Sequence, residues 1–217
     1  MPLTLIDLLE RAVTRFGTRP ALGLRLDDGA TTLWTYRDLD RRARIAAWRL
    51  RALDLEPGDR ILTWGPSSPE IPAAYFCAMH ARLVIVPLDI RMSTEAVQTV
   101  VRASGARHLI LGTGRDAPDP GEAGLADFPT TTFEDLSAEP TPDDPVFPPD
   151  WEARQAAWKR PTSDEVFQLI FTSGTTGTPK GVMLTHDNVA ASIESFHHIV
   201  PPMDHRLVSV LPLSHLL

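Results

Sequence analysis

Short apolar runs alternate with helical stretches along most of this chain, and that alternation limits the fold more than any other feature. Residues 61–64, 83–87 and 108–111 are brief runs of the kind that fill a buried strand. Between them, 69–81 and 93–103 read as helices, the first with Ser68 as its cap and Pro69 at its first position. Strand, helix, strand, helix, strand predicts an α/β fold with a mostly parallel sheet flanked by helices.

Upstream, Leu5, Leu8, Leu9, Ala12, Val13 and Phe16 fall on one face of an amphipathic helix that Gly17 stops. Residues 21–26 and 31–34 flank an Asp-Asp-Gly-Ala turn and predict a hairpin. Thr35, with Asp38 three residues on, caps a helix running to about residue 53, and Pro57-Gly58-Asp59 is a turn. From 113 to 161 the composition changes to a mixture of proline, aspartate and glutamate. This stretch is expected to be a surface connection, with a short strand and a turn of helix in 130–136. Beyond it come a strong apolar strand at 166–171, a polar loop at 172–181, a strand at 182–184, a helix capped by Thr185 to about residue 199, and a last strand at 207–211.

Composition excludes several functions. The 217 residues suffice for one sizeable core, and the net charge of −7 argues against a nucleic-acid partner, which would favour a basic face. Cys77 is the single cysteine, so no internal disulfide forms. Asp7 and Glu10 interrupt any signal peptide at the start, and no run approaches the roughly 20 apolar residues of a membrane span. The expectation is a soluble cytoplasmic protein with no transmembrane segment.

The chemistry is concentrated in Phe171-Thr172-Ser173-Gly174-Thr175-Thr176-Gly177-Thr178-Pro179-Lys180-Gly181, with five hydroxyl side chains, three glycines and a lysine directly after an apolar strand. Glycines let the backbone approach an anion, successive N–H groups can form a nest, and lysine adds a flexible charge. A Walker A loop is ruled out: counting from Gly174, Pro179 stands where the second glycine belongs, and Gly181 follows the lysine in place of Ser or Thr.

This loop resembles the signature loop of the adenylate-forming superfamily, which includes acyl-CoA synthetases, luciferases and peptide-synthetase adenylation domains. The likeness continues through Val182-Met183-Leu184-Thr185-His186-Asp187-Asn188. Upstream, Trp34-Thr35-Tyr36-Arg37-Asp38-Leu39 and Val84-Ile85-Val86-Pro87-Leu88-Asp89 resemble family segments in the same order. One departure precedes the second: the family usually has Ala-Gly where this chain has Ala81-Arg82. Leu211-Pro212-Leu213-Ser214-His215-Leu216 resembles a segment common in long-chain fatty acyl-CoA synthetases, which implies a fatty or other apolar acid as substrate.

The resemblance implies the N-terminal portion of the large domain of such an enzyme, an incomplete domain: a first α/β part at 1–112, the Pro/Asp-rich connection at 113–161 and a phosphate-loop part at 162–217. It implies two steps, attack of a carboxylate on ATP to give acyl-adenylate and pyrophosphate, then transfer of the acyl group to coenzyme A, usually with Mg²⁺. Thr172, Ser173, Gly174, Thr175, Thr176, Gly177, Thr178 and Lys180 would contact the ATP phosphates, and His215 would sit at the acyl-carboxylate end. No metal ligand is assigned in this chain. The family's later motifs, including its catalytic lysine in a C-terminal domain, are not found in 1–217. The chain alone is therefore expected to be inactive or nearly so, with an exposed unfinished core that favours association. Two alternatives stand beside this reading: a nucleotide- or partner-binding module without catalysis, and a fatty acyl-AMP ligase passing its product to a carrier protein.

Overall fold

The computed structural model describes residues 3–26, 28–172, 180–197, 206–209 and 213, with the side chains of residues 196 and 197 outside that set. Helix α1 (Leu5–Phe16) opens with a capping box in which the Thr4 hydroxyl accepts from the Asp7 N–H and the Asp7 carboxylate accepts from the Thr4 N–H at 2.8 Å. It ends at Gly17, whose backbone is right-handed; glycine is required there because a Cβ would meet the Val13 carbonyl at 2.7 Å. Strands β1 (Pro20–Arg25) and β2 (Thr31–Thr35) form the expected hairpin as a separate two-stranded sheet. Helix α2 (Tyr36–Ala52) starts with a second capping box, Thr35 with Asp38.

The alternating region builds β3 (Arg60–Trp64), α3 (Glu70–Ala81), β4 (Val84–Leu88), α4 (Thr94–Ser104) and β5 (His108–Leu111). The chain then adds β6 (Thr130–Thr132), α5 (Phe133–Ser137), α6 (Trp151–Ala156), β7 (Val166–Thr172), β8 (Lys180–Thr185) and α7 (His186–His197). Six strands form one sheet in the order β6-β5-β3-β4-β7-β8, parallel except for β8. Side chains alternate between two cores as the pleat requires. Ile61, Ile85 and Ile110 face α1, α2 and α3, whereas Leu62, Val86 and Leu109 face α4.

Four expectations need correction. The start of α3 lies one residue later than Ser68 and Pro69 implied: Pro69 is the cap and makes no side-chain hydrogen bond, while the Ser68 hydroxyl accepts from the Glu70 N–H at 3.3 Å. The 172–181 loop is shorter, because Thr172 ends β7 and Lys180 begins β8. The 113–161 stretch is more than a connection. Ala123, Leu125, Phe133 and Leu136 enter the two cores, and Phe147 and Trp151 bury against Ile45 and Trp48 of α2. The Trp48 indole N–H donates to the Val146 carbonyl at 2.7 Å, and Arg49 donates to the carbonyls of Leu136 and Ala138. Aromatic anchors hidden among prolines tie the segment down. Finally, Arg206–Ser209 have no regular structure, and Leu207 and Val208 stand exposed; the remainder of the expected strand at 210–211, and the last two residues of the expected helix at 198–199, lie outside the described residues.

Two buried histidines give the fold a pH signature. His186 opens α7, accepts from the Leu5 N–H through Nδ1 at 3.4 Å and lies 5.0 Å from the Phe167 ring. His108 Nε2 lies 3.1 Å from the Thr131 hydroxyl. Burial pushes the pKa of each down to about 4. Both are therefore neutral in the folded protein, while the unfolded chain takes up protons near pH 6.5. Stability falls as pH drops from about 6.5 toward 4, above the window in which the carboxylates lose their own contribution. We expect a lower urea midpoint at pH 5 than at pH 7, and a shallower pH slope for His186→Gln; equal midpoints at the two pH values would contradict this account.

Candidate nucleotide-phosphate site

The parallel strands β3, β4, β5 and β7 present their carboxyl ends, Trp64, Leu88, Leu111 and Thr172, along one edge of the sheet. From β3 the chain passes through α3 on one face to β4, then through α4 on the other face to β5, on the far side of β3. Connections that leave neighbouring strands for opposite faces open a crevice at the carboxyl edge, where α/β sheets bind ligands.

Several groups meet at this edge. The Gly112 N–H donates to the Trp64 carbonyl at 2.8 Å, and a Cβ on Gly65 would stand 2.6 Å from the Gly112 Cα, so both loops need the missing side chain. The Glu70 carboxylate at the start of α3 accepts from the Thr113 N–H and hydroxyl, each at 3.2 Å. Asp89, just past β4, accepts from the Arg91 backbone N–H and binds its guanidinium at 3.0 and 2.7 Å. The Ser67 hydroxyl accepts from the Leu213 N–H at 3.2 Å, and Leu213 packs on the first core.

The end of β7 and the start of β8 lie at the same edge. The closing pair of these strands is Thr172 with Lys180, both exposed. Of the residues singled out in the sequence, Thr172 and Lys180 are thus placed side by side. Ser173, Gly174, Thr175, Thr176, Gly177, Thr178 and His215 lie outside the described residues. Leu213, two residues before His215, is anchored beside the start of α3. Ser67 was missed by sequence reasoning, because a serine in a Gly-Pro-Ser-Ser turn carries no signal of a partner 146 residues away. Among the described residues, no group of three or more His, Cys, Asp or Glu side chains comes together as a metal site. No described helix is long and apolar enough to cross a membrane. Burial raises the Cys77 thiol pKa, which keeps that side chain protonated and unreactive.

A mostly parallel sheet whose last two strands form an antiparallel hairpin at one margin defines an α/β protein. Residues 9–217 match the family of AMP-binding enzymes, and the chain belongs to that family. It is 33% identical over 190 residues to a feruloyl-CoA synthase of Amycolatopsis sp, covering 80% of this chain and 34% of that protein. It is 27% identical over 201 residues to the long-chain-fatty-acid–CoA ligase FadD13 of Mycobacterium tuberculosis, covering 90% and 38%. Among solved structures, fatty acyl-adenylate ligases from E. coli and L. pneumophila superpose with a TM-score of 0.74 at 27% identity, covering 99% of this chain and 37% of the matched chain. The chain thus spans little more than a third of the length of these relatives.

The Gly65–Gly112 contact is testable. Gly65→Ala forces two backbone segments apart and is expected to destabilise by about 1–3 kcal/mol. Because Ser67 lies two residues on, the same variant should shift the amide resonance of Leu213. A wild-type melting midpoint with an unmoved Leu213 resonance would show that the two loops do not touch as described.

Proposed function

We propose that the chain supplies the phosphate-holding part of an enzyme that activates a carboxylic acid with ATP and then passes the acyl group to coenzyme A. The observation that carries this reading is the Thr172–Lys180 pair closing a loop of hydroxyls and glycines at the carboxyl edge, with the segment leading to His215 anchored at the same edge.

In the first step a carboxylate oxygen attacks the α-phosphorus of ATP, and pyrophosphate leaves as the acyl–AMP bond forms. Thr172, Ser173, Thr175, Thr176 and Thr178 offer hydroxyl donors, Gly174 and Gly177 allow backbone N–H groups to approach, and Lys180 supplies a point charge to the β- and γ-phosphates. Fixed donors of this kind stabilise charge developing on phosphate oxygens. His215 orients the attacking carboxylate. In the second step the thiolate of coenzyme A attacks the acyl carbon and AMP leaves. Mg²⁺ would enter with the nucleotide as a counter-charge to its phosphates; among the described residues no carboxylate cluster is placed to hold it. The likeness to a long-chain-fatty-acid–CoA ligase and to fatty acyl-adenylate ligases supports a fatty or other apolar acid. The second of these also supports a reading in which a carrier protein, rather than coenzyme A, accepts the acyl group.

The 217-residue chain by itself is proposed to bind nucleotide without appreciable turnover. Calorimetric titration with Mg²⁺-ATP is expected to show saturable binding, weakened about 10-fold to 100-fold by Lys180→Ala, the effect of removing one charged hydrogen-bond donor. A folded chain that binds no nucleotide, or binds equally well without the lysine, would overturn the phosphate role of this loop.

A further inference from the structure

We infer that the Arg82–Glu165 ion pair is a positioning device for the phosphate loop: it fixes the base of the β7–β8 hairpin whose tip carries that loop. Arg82 caps α3 in the left-handed region, at φ 58° and ψ 36°. A side chain with a Cβ costs roughly 1–2 kcal/mol there, whereas glycine is unstrained. A strained arginine persists only where its surroundings hold it. Here its Nε and terminal N–H groups grip Glu165 at 3.0 and 2.7 Å in a planar fork, with both side chains mostly shielded from solvent.

Glu165 stands where the hairpin both begins and ends. It immediately precedes β7, and its carbonyl accepts from the His186 N–H at 3.3 Å, just past β8. Arg82 lies between α3 and β4, so the ion pair joins the parallel sheet to the hairpin. The strands are also held by packing: Phe167 is buried in the first core, and Leu184, Leu169 and Phe171 pack against the two cores. β4 and β7 share one register pair, Ile85 with Gln168, and the Gln168 amide donates to the Tyr75 hydroxyl at 3.1 Å. A tilt at the base is carried along about 20 Å of strand to the tip. Misplacement of phosphate donors by about 1 Å can cost two orders of magnitude in rate. The functional consequence rests on the phosphate-loop reading; the mechanical claim does not.

The test is amide hydrogen exchange on the 217-residue chain and its variants Arg82→Gly, Arg82→Lys and Glu165→Gln, with melting midpoints measured alongside. Arg82→Gly and Glu165→Gln are expected to accelerate exchange in 167–172 and 180–185 by roughly tenfold, leaving α1 and α2 unchanged. Arg82→Gly should do so without lowering the midpoint, because it also releases backbone strain. Arg82→Lys keeps charge but loses the fork, and falls between. Unchanged hairpin exchange, or acceleration spread evenly over the chain with a matching drop in midpoint, would overturn the proposal. Failure of the parent chain to bind Mg²⁺-ATP would count against the phosphate site alone and leave the exchange result standing.

Discussion

The close approach of α2 to α3 is the joint on which the rest of this chain is assembled. α2 offers Ala43, Ala46 and Ala47, and α3 offers Ala73, Ala74, Cys77 and Ala78, all at most 1% exposed. Small side chains on both helices bring the backbones together and leave no room for enlargement. α3 thereby seats the first core on the sheet, while the outer side of α2 becomes the surface on which α1, the β1–β2 hairpin and the 113–161 segment lie. Polar groups follow the same geometry. Arg44 binds Asp40 at 2.8 Å and Glu10 at 3.2 Å, and Arg160 joins Asp7 and Glu10 from the segment before β7.

His80 completes that network from α3. Its Nε2 stands 3.4 Å from Asp40 Oδ1, near enough for electrostatic attraction but without an aligned hydrogen bond on either atom. Burial is the strongest influence on both groups. It drives His80 below its ordinary pKa, so the ring is neutral. For Asp40 burial works upward, yet His80 and Arg44 together hold the carboxyl below its usual value, so it stays charged. The guanidinium of Arg44 is what makes a mostly buried carboxylate tolerable between two helices, and removing it would strand that charge.

Local signals were legible in the sequence. The capping box at Thr35 and Asp38, the hairpin, and the alternation of short apolar runs with helices all reflect interactions within a few residues, and each appears as expected. What stayed hidden was pairing at a distance. One local signal was missed as well: Thr4 and Asp7 form at α1 the same capping box that Thr35 and Asp38 form at α2. Phe147, Trp151 and Trp158 were masked by the prolines around them, although Trp158 stacks on Trp48 with rings 5.5 Å apart and nearly parallel. The Ala81-Arg82 departure carried no sign of the partner of Arg82, because Glu165 lies 83 residues later. At the site, sequence marked the loop's chemistry and its two flanking strands, but not the neighbouring loops that share its edge.

That shared edge gives the order of strands its meaning. β7 adds beside β4, so its carboxyl end at Thr172 lies next to the crevice opened by β3 and β4 rather than at a remote margin of the sheet. β8 then returns antiparallel, which places Lys180 beside Thr172 at the point where the loop closes. Leu213, two residues before His215 in the sequence, is held by Ser67 just after β3 at the same edge. On the proposed reading, the phosphate end of the nucleotide and the carboxylate end of the acid must come within bonding distance. A topology that brings Thr172, Lys180 and Leu213 to one edge of the sheet suits that requirement, because the strands that carry the first two are fixed by the ladder and the third by its bond to Ser67.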